Sequence, residues 1–158
     1  MRVNGLWLGT LILLLGACGS LMAADSPEDE AKTELQKFQG TWVLVSGEID
    51  GKKVAEEHVK QSKITFDGNK MMVDTPHQSK ETIVATITKL DPTKTPKEMH
   101  WVRTTGPNAG TTMIAIYEFE GADQYKIRFD PAGKTVPKEF GTTAGTGHIW
   151  HIWRRVKQ

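Results

Sequence analysis

The chain has 158 residues, of which 38% are apolar and 25% charged, enough for one globular domain with a core of its own and no need of a disulfide or metal staple. Its 20 Lys and Arg stand against 19 Asp and Glu, so it lacks the basic excess of a nucleic-acid or anionic-membrane binder, and no nucleic-acid partner is expected.

Residues 1–24 stand apart from the rest. Arg2 is their only charged side chain, and it precedes the apolar run LWLGTLILLLGA, Leu6–Ala17. That run is short for a membrane span of ~20 residues but matches the apolar region of a secretory signal. Two cleavage sites are open. LGAC, Leu15–Cys18, resembles the lipobox of bacterial lipoproteins, which would remove residues 1–17 and lipidate Cys18. The alternative is ordinary signal-peptidase cleavage after residue 23 or 24, beside LMAA. Cys18 is the single cysteine, so no internal disulfide can form, and an exported chain gains little from one stray thiol. This favours the lipid anchor. Removing residues 1–17 takes away Arg2 alone and leaves 19 basic against 19 acidic side chains. Ser20 stands where an Asp would resemble the inner-membrane retention signal. The expected location is therefore the cell envelope, lipid-anchored at the outer-membrane or periplasmic face, with a soluble secreted or periplasmic protein as the alternative.

Residues 18–34 read as a lipidated tether running into an N-terminal helix. Ser26 fits an N-cap, Pro27 the first helical position, and Glu28, Asp29 and Glu30 the acidic first turn. Ala31, Leu35 and Phe38 then form an apolar stripe at helical spacing over about 27–38.

From residue 35 to 158 the chain reads as one β domain. GTWVLVSGEIDG gives a strand over about 41–49 that ends at the tight-turn pair Asp50-Gly51. VAEEHVKQ is a short helical crossover. KITFDGNKMMVD is a hairpin about Asp67-Gly68-Asn69, and ETIVATITKL, EMHWVRTT, TTMIAIYEFE, DQYKIRFD and GHIWHIWRRV follow as strands. About eight strands at this spacing with short links predict an all-β, up-and-down antiparallel barrel, because closure removes the exposed edges. A barrel of that size is either filled by side chains or holds one small ligand.

The last strand tests the richest motif, HIWHIWRR. Side chains alternate faces along a strand, so His148, Trp150, Ile152 and Arg154 share one face and Ile149, His151, Trp153 and Arg155 the other. His148 and His151 thus point apart and form no chelating pair. The five histidines show no metal-ligand spacing, and no metal or cofactor is expected. GTTAGTGH, Gly141–His148, lacks the Lys-Ser/Thr ending and following helix of a phosphate loop, and reads as a flexible loop. TTGPNAGTT is a hairpin loop. Asp130 and Glu139 read as loop carboxylates rather than a tuned dyad. No catalytic residue is assigned, since no nucleophile motif is present.

The motifs LQKFQGTW, FDGNKM, KLDPTKTPKEMHW, GPNAGTTMIAIYEFEGADQYKIRF and PAGKTVPKEF, in this order, resemble the lipocalin-like domain family of planctomycete bacteria, over about 35–156. Gly40-Thr41-Trp42 also resembles the G-x-W that begins the first strand of lipocalins proper. The resemblance implies a small exported barrel closed by an Arg over that Trp, and carries no catalytic or binding residue with it. Gly40, Trp42, Trp150, Trp153, Arg154 and Arg155 are then the closure residues. Trp42, Leu44, Met99, Trp101, Tyr117, Phe119, Tyr125, Ile127 and Phe129 are candidates to line a cavity. The expected function is binding, of a small apolar ligand inside or an envelope protein outside. A structural or protein-interaction module with a solid core is the alternative, and an enzyme of unrecognised type the third reading.

Overall fold

The computed structural model describes residues 26–157, so the signal segment, Cys18 and most of the tether lie outside the described residues. In chain order the elements are α1 (Pro27–Phe38), β1 (Gly40–Ile49), β2 (Lys52–Lys53), α2 (Glu56–Gln61), β3 (Lys63–Asp67), β4 (Lys70–Asp74), β5 (Ile83–Asp91), β6 (Lys97–Arg103), β7 (Thr112–Phe119), β8 (Gln124–Phe129) and β9 (Ile149–Arg155). Helix α1 starts where the Ser26 hydroxyl accepts the Asp29 N–H at 3.2 Å, with Pro27 in the first turn.

Eight strands, β1 and β3 to β9, pair antiparallel in sequence order, and β9 returns to pair with β1. The barrel is therefore closed, with β2 an extra short strand on the end of β1. The barrel strands turn alternate residues inward, as in β6, where Met99, Trp101 and Arg103 are buried. Two strands change parity partway. In β1 the register slips between Leu44 and Ser46, so Trp42 and Leu44 face in, Val45 is exposed, and Gly47 faces in again. A similar slip between Ile87 and Lys89 of β5 turns Leu90 inward.

Helix α1 covers the end of the barrel where β1 begins. Phe38, fully buried, sets its ring against Phe66, Tyr117, Phe119 and Tyr125 at centroid separations of 4.7 to 5.2 Å. Burying that side chain stabilises the fold by about 1.5–3 kcal/mol. One turn earlier, the buried Glu34 carboxylate accepts from Lys37 Nζ and Lys97 Nζ, each at 2.7 Å, and from the Tyr117 hydroxyl at 3.3 Å. Burial by itself would raise the Glu34 pKa, but the two ammonium groups outweigh it and hold it below the ordinary glutamate value. Trp42 Nε1 donates to the Phe38 carbonyl at 2.7 Å, tying the helix end to β1.

The seam between β1 and β9 is locked at this same end. Arg155 lies over the Trp42 ring at 4.1 Å and donates to the Gln39 carbonyl at 2.6 Å. Its neighbour Arg154 points outward and is exposed. Trp153 is buried inside, whereas Trp150 lies on the outer face and is half-buried.

Candidate functional site

Away from α1 the interior is less full. A cavity of about 50 Å³ lies between β3, β4, β5, β6, β8 and β9. Five of the residues expected to line a cavity do so: Met99, Trp101, Tyr125, Ile127 and Phe129. Trp42, Leu44, Tyr117 and Phe119 do not: Tyr117 and Phe119 pack on the Phe38 ring, Trp42 is tied to the Phe38 carbonyl, and Leu44 is buried in the core away from the cavity wall. The volume decides the scale of any occupant. An apolar cavity of about 150 Å³ holds benzene, so one a third that size admits only a few heavy atoms, well below a drug-sized pocket of about 300–1,000 Å³.

Beside Tyr125, the polar lining includes three residues that sequence reasoning did not select: Arg103, Gln78 and His151. Arg103 ends β6 and is only 5% exposed. Its guanidinium donates to the Pro107 carbonyl at 2.9 Å and to Gln78 Oε1 at 2.8 Å. Both acceptors are neutral, and among the described residues no carboxylate pairs with it. Burial accordingly pulls its pKa below the ordinary arginine value.

His151 faces inward from β9 and is 2% exposed. Its Nε2 lies 3.1 Å from Nε2 of His77, which reaches it from the segment between β4 and β5. Burial pushes the His151 pKa down to about 3, with His77 adding to the fall, and burial followed by His58 pushes His77 down to about 4. Both rings are therefore neutral near pH 7, and one donates to the other. Gly47, the register partner of His151, leaves the room this ring needs. A Cβ there would meet His151 Cδ2 at 2.9 Å and Val54 Cγ2 at 3.0 Å.

A second polar cluster lies outside the barrel, under the long connection from β8 to β9. The Asp130 carboxylate accepts the N–H groups of Ala132, Lys134 and Thr135 and the Thr135 hydroxyl. Burial alone would raise its pKa, but these hydrogen bonds hold it below the ordinary aspartate value. The Thr135 hydroxyl, having donated to Asp130, accepts from His148 Nε2–H at 2.7 Å, and His148 Nδ1 accepts from Arg128 Nε–H at 3.1 Å. The hydrogen-bond pattern thus assigns the histidine tautomer. A nucleophile-base pair needs the opposite arrangement, with the imidazole accepting the hydroxyl proton and a carboxylate behind it. This cluster anchors a loop.

The Gly-rich segment before β9 is laced to the turn after β1. Gly51 N–H donates to Thr142 Oγ1 at 2.9 Å, and Gly147 N–H to Asp50 Oδ1 at 2.8 Å. Glu139 is exposed and lends only its carbonyl, to Arg128. Among the described residues no group of three or more His, Cys, Asp or Glu side chains is placed to hold a metal ion. Comparison with protein-family models, with curated proteins and with solved structures finds no match.

Proposed function

We propose that this chain is an exported, lipid-anchored, lipocalin-like barrel that binds a small molecule in its interior. The observation that carries this reading is the cavity of about 50 Å³ inside the barrel, with polar groups on a wall that is mostly apolar. Export and anchoring rest on the apolar segment 6–17 and on Cys18 in LGAC. An envelope protein docking on the outside has less support. Among the described residues the exposed large apolar side chains are Val45, Val136 and Val156, on three separate parts of the chain.

Native mass spectrometry of the protein purified from its own host tests the reading. A retained small mass is expected in the wild type and is lost in Ala85→Leu, which fills the cavity from β5. If wild type and variant both run at the bare polypeptide mass, the solid-cored structural module is the better account.

A further inference from the structure

We infer that the barrel cavity is a site for a small organic carboxylate of one or two carbons, its carboxylate held by Arg103 and its other end by Met99, Ile83 and Ala85. The inference rests on the interior-binding reading above and specifies the class of ligand.

Arg103 is the reason. A guanidinium taken out of water without a counter-ion is destabilising, and buried cations are as a rule paired. Here a side chain that is 95% buried by its 5% exposure has no acidic partner among the described residues, and it lines a cavity instead. Its hydrogen bonds to the Pro107 carbonyl and Gln78 Oε1 hold the plane of the group. Two of the five guanidinium N–H groups are used in this way, one on each terminal nitrogen, so three remain, enough for a bidentate acceptor. The remaining polar lining supplies no competing anion: Gln78 is neutral, and His151 is engaged with His77. The ionisable groups of the lining are Arg103, His151 and Tyr125, with no carboxylate among them. An anion entering here meets one fixed cation and no like charge.

Size and wall chemistry select among anions. The volume of about 50 Å³ excludes a long acyl chain. A phosphate or sulfate would need to shed a dense hydration shell against a wall that offers one guanidinium and mostly methyl, thioether and ring surfaces. Acetate matches both ends, one charge for Arg103 and one methyl group for Met99 and Ile83.

The test is an NMR titration of the full chain, read at the Trp101 indole and the Met99 methyl, with formate and acetate, with formamide and acetamide, and with sodium chloride at equal concentration. Carboxylates are expected to bind at least about tenfold more tightly than their amides, and Arg103→Gln to remove that difference. The wild-type comparison of acid with amide stands whether or not the variant folds. Equal binding of acids and amides overturns the carboxylate assignment and leaves interior binding in place. Chloride shifts matching those of acetate overturn it as well. If none of the series perturbs Trp101 or Met99, the inference fails, and the mass measurement above then decides separately whether interior binding survives.

Discussion

Arg155 and Trp42 are register partners across the seam of the barrel, and the guanidinium carbon lies 4.1 Å from the centre of the indole ring. The same guanidinium donates to backbone carbonyls at the end of α1, so one side chain fastens the first strand, the last strand and the helix that covers the barrel. Cation–π attraction and charge-assisted hydrogen bonds act together here. Arg155→Met is expected to cost about 1–3 kcal/mol, seen as a lowered urea midpoint, and Arg155→Lys to recover less than half, because an ammonium cannot stack and fork at once. Arg154→Met, one residue away and exposed, is expected to change stability by less than about 0.5 kcal/mol.

Acid should weaken the protein before its carboxylates titrate. Histidine in the unfolded chain titrates near pH 6.5, whereas burial holds His77 at about 4 and His151 at about 3. Below pH ~6.5 the unfolded chain therefore binds protons that the folded one refuses, and stability falls as pH falls toward 4. Above that range the contribution is fully present. The slope is about 1.4 kcal/mol per pH unit for each proton taken up. Glu34 and Asp130, held below their ordinary values, add their losses at lower pH. Urea midpoints measured from pH 7 to 5 should show the slope, and His151→Phe should reduce it by up to one proton. An unchanged slope in that variant would remove His151 from the account.

Gly47→Ala should disturb the inner histidines rather than the local backbone. The added Cβ meets the His151 ring at 2.9 Å, and a ring buried among Phe129, Trp153 and His77 has little room to give. A loss of about 1–3 kcal/mol is expected, with altered imidazole nitrogen shifts for both His151 and His77.

Asp130→Asn removes the charge that gathers three backbone N–H groups and the Thr135 hydroxyl. The amide can accept some of these bonds but also brings donors with no acceptor there. Stability should drop by about 1–3 kcal/mol, and amide exchange at 132–135 should accelerate while the β6 and β7 amides stay protected.

Cys18→Ser tests the anchor. Wild-type protein should fractionate with membranes and carry a diacylglycerol-modified N-terminal cysteine, and the variant should lack the modification. A wild-type N-terminus at residue 24 or 25, with no lipid, would replace the anchored protein with a freely soluble exported one.

Alternation and turn chemistry made the architecture legible in the sequence. Ser26-Pro27 set the start of α1, the turn dipeptides set the hairpins, and period-two runs set eight strands whose short links permit little but an antiparallel meander. Parity along β9 separated His148 from His151, and on β6 it places Arg103 on the inward face with Met99 and Trp101. That alignment was open to the same reasoning. What parity could not say is how far each inward residue stands from the plug. Phe38 fills one end of the barrel, so Tyr117 and Phe119 pack on its ring, and the void begins beyond Phe66 and Tyr125. Nor could spacing join His77 to His151, 74 residues apart, or show that Arg103 is buried without a carboxylate. Local periodicity fixes the direction in which a side chain points. Its neighbours and its share of water are fixed only when the sheet closes, because they depend on residues that the chain brings together from far apart.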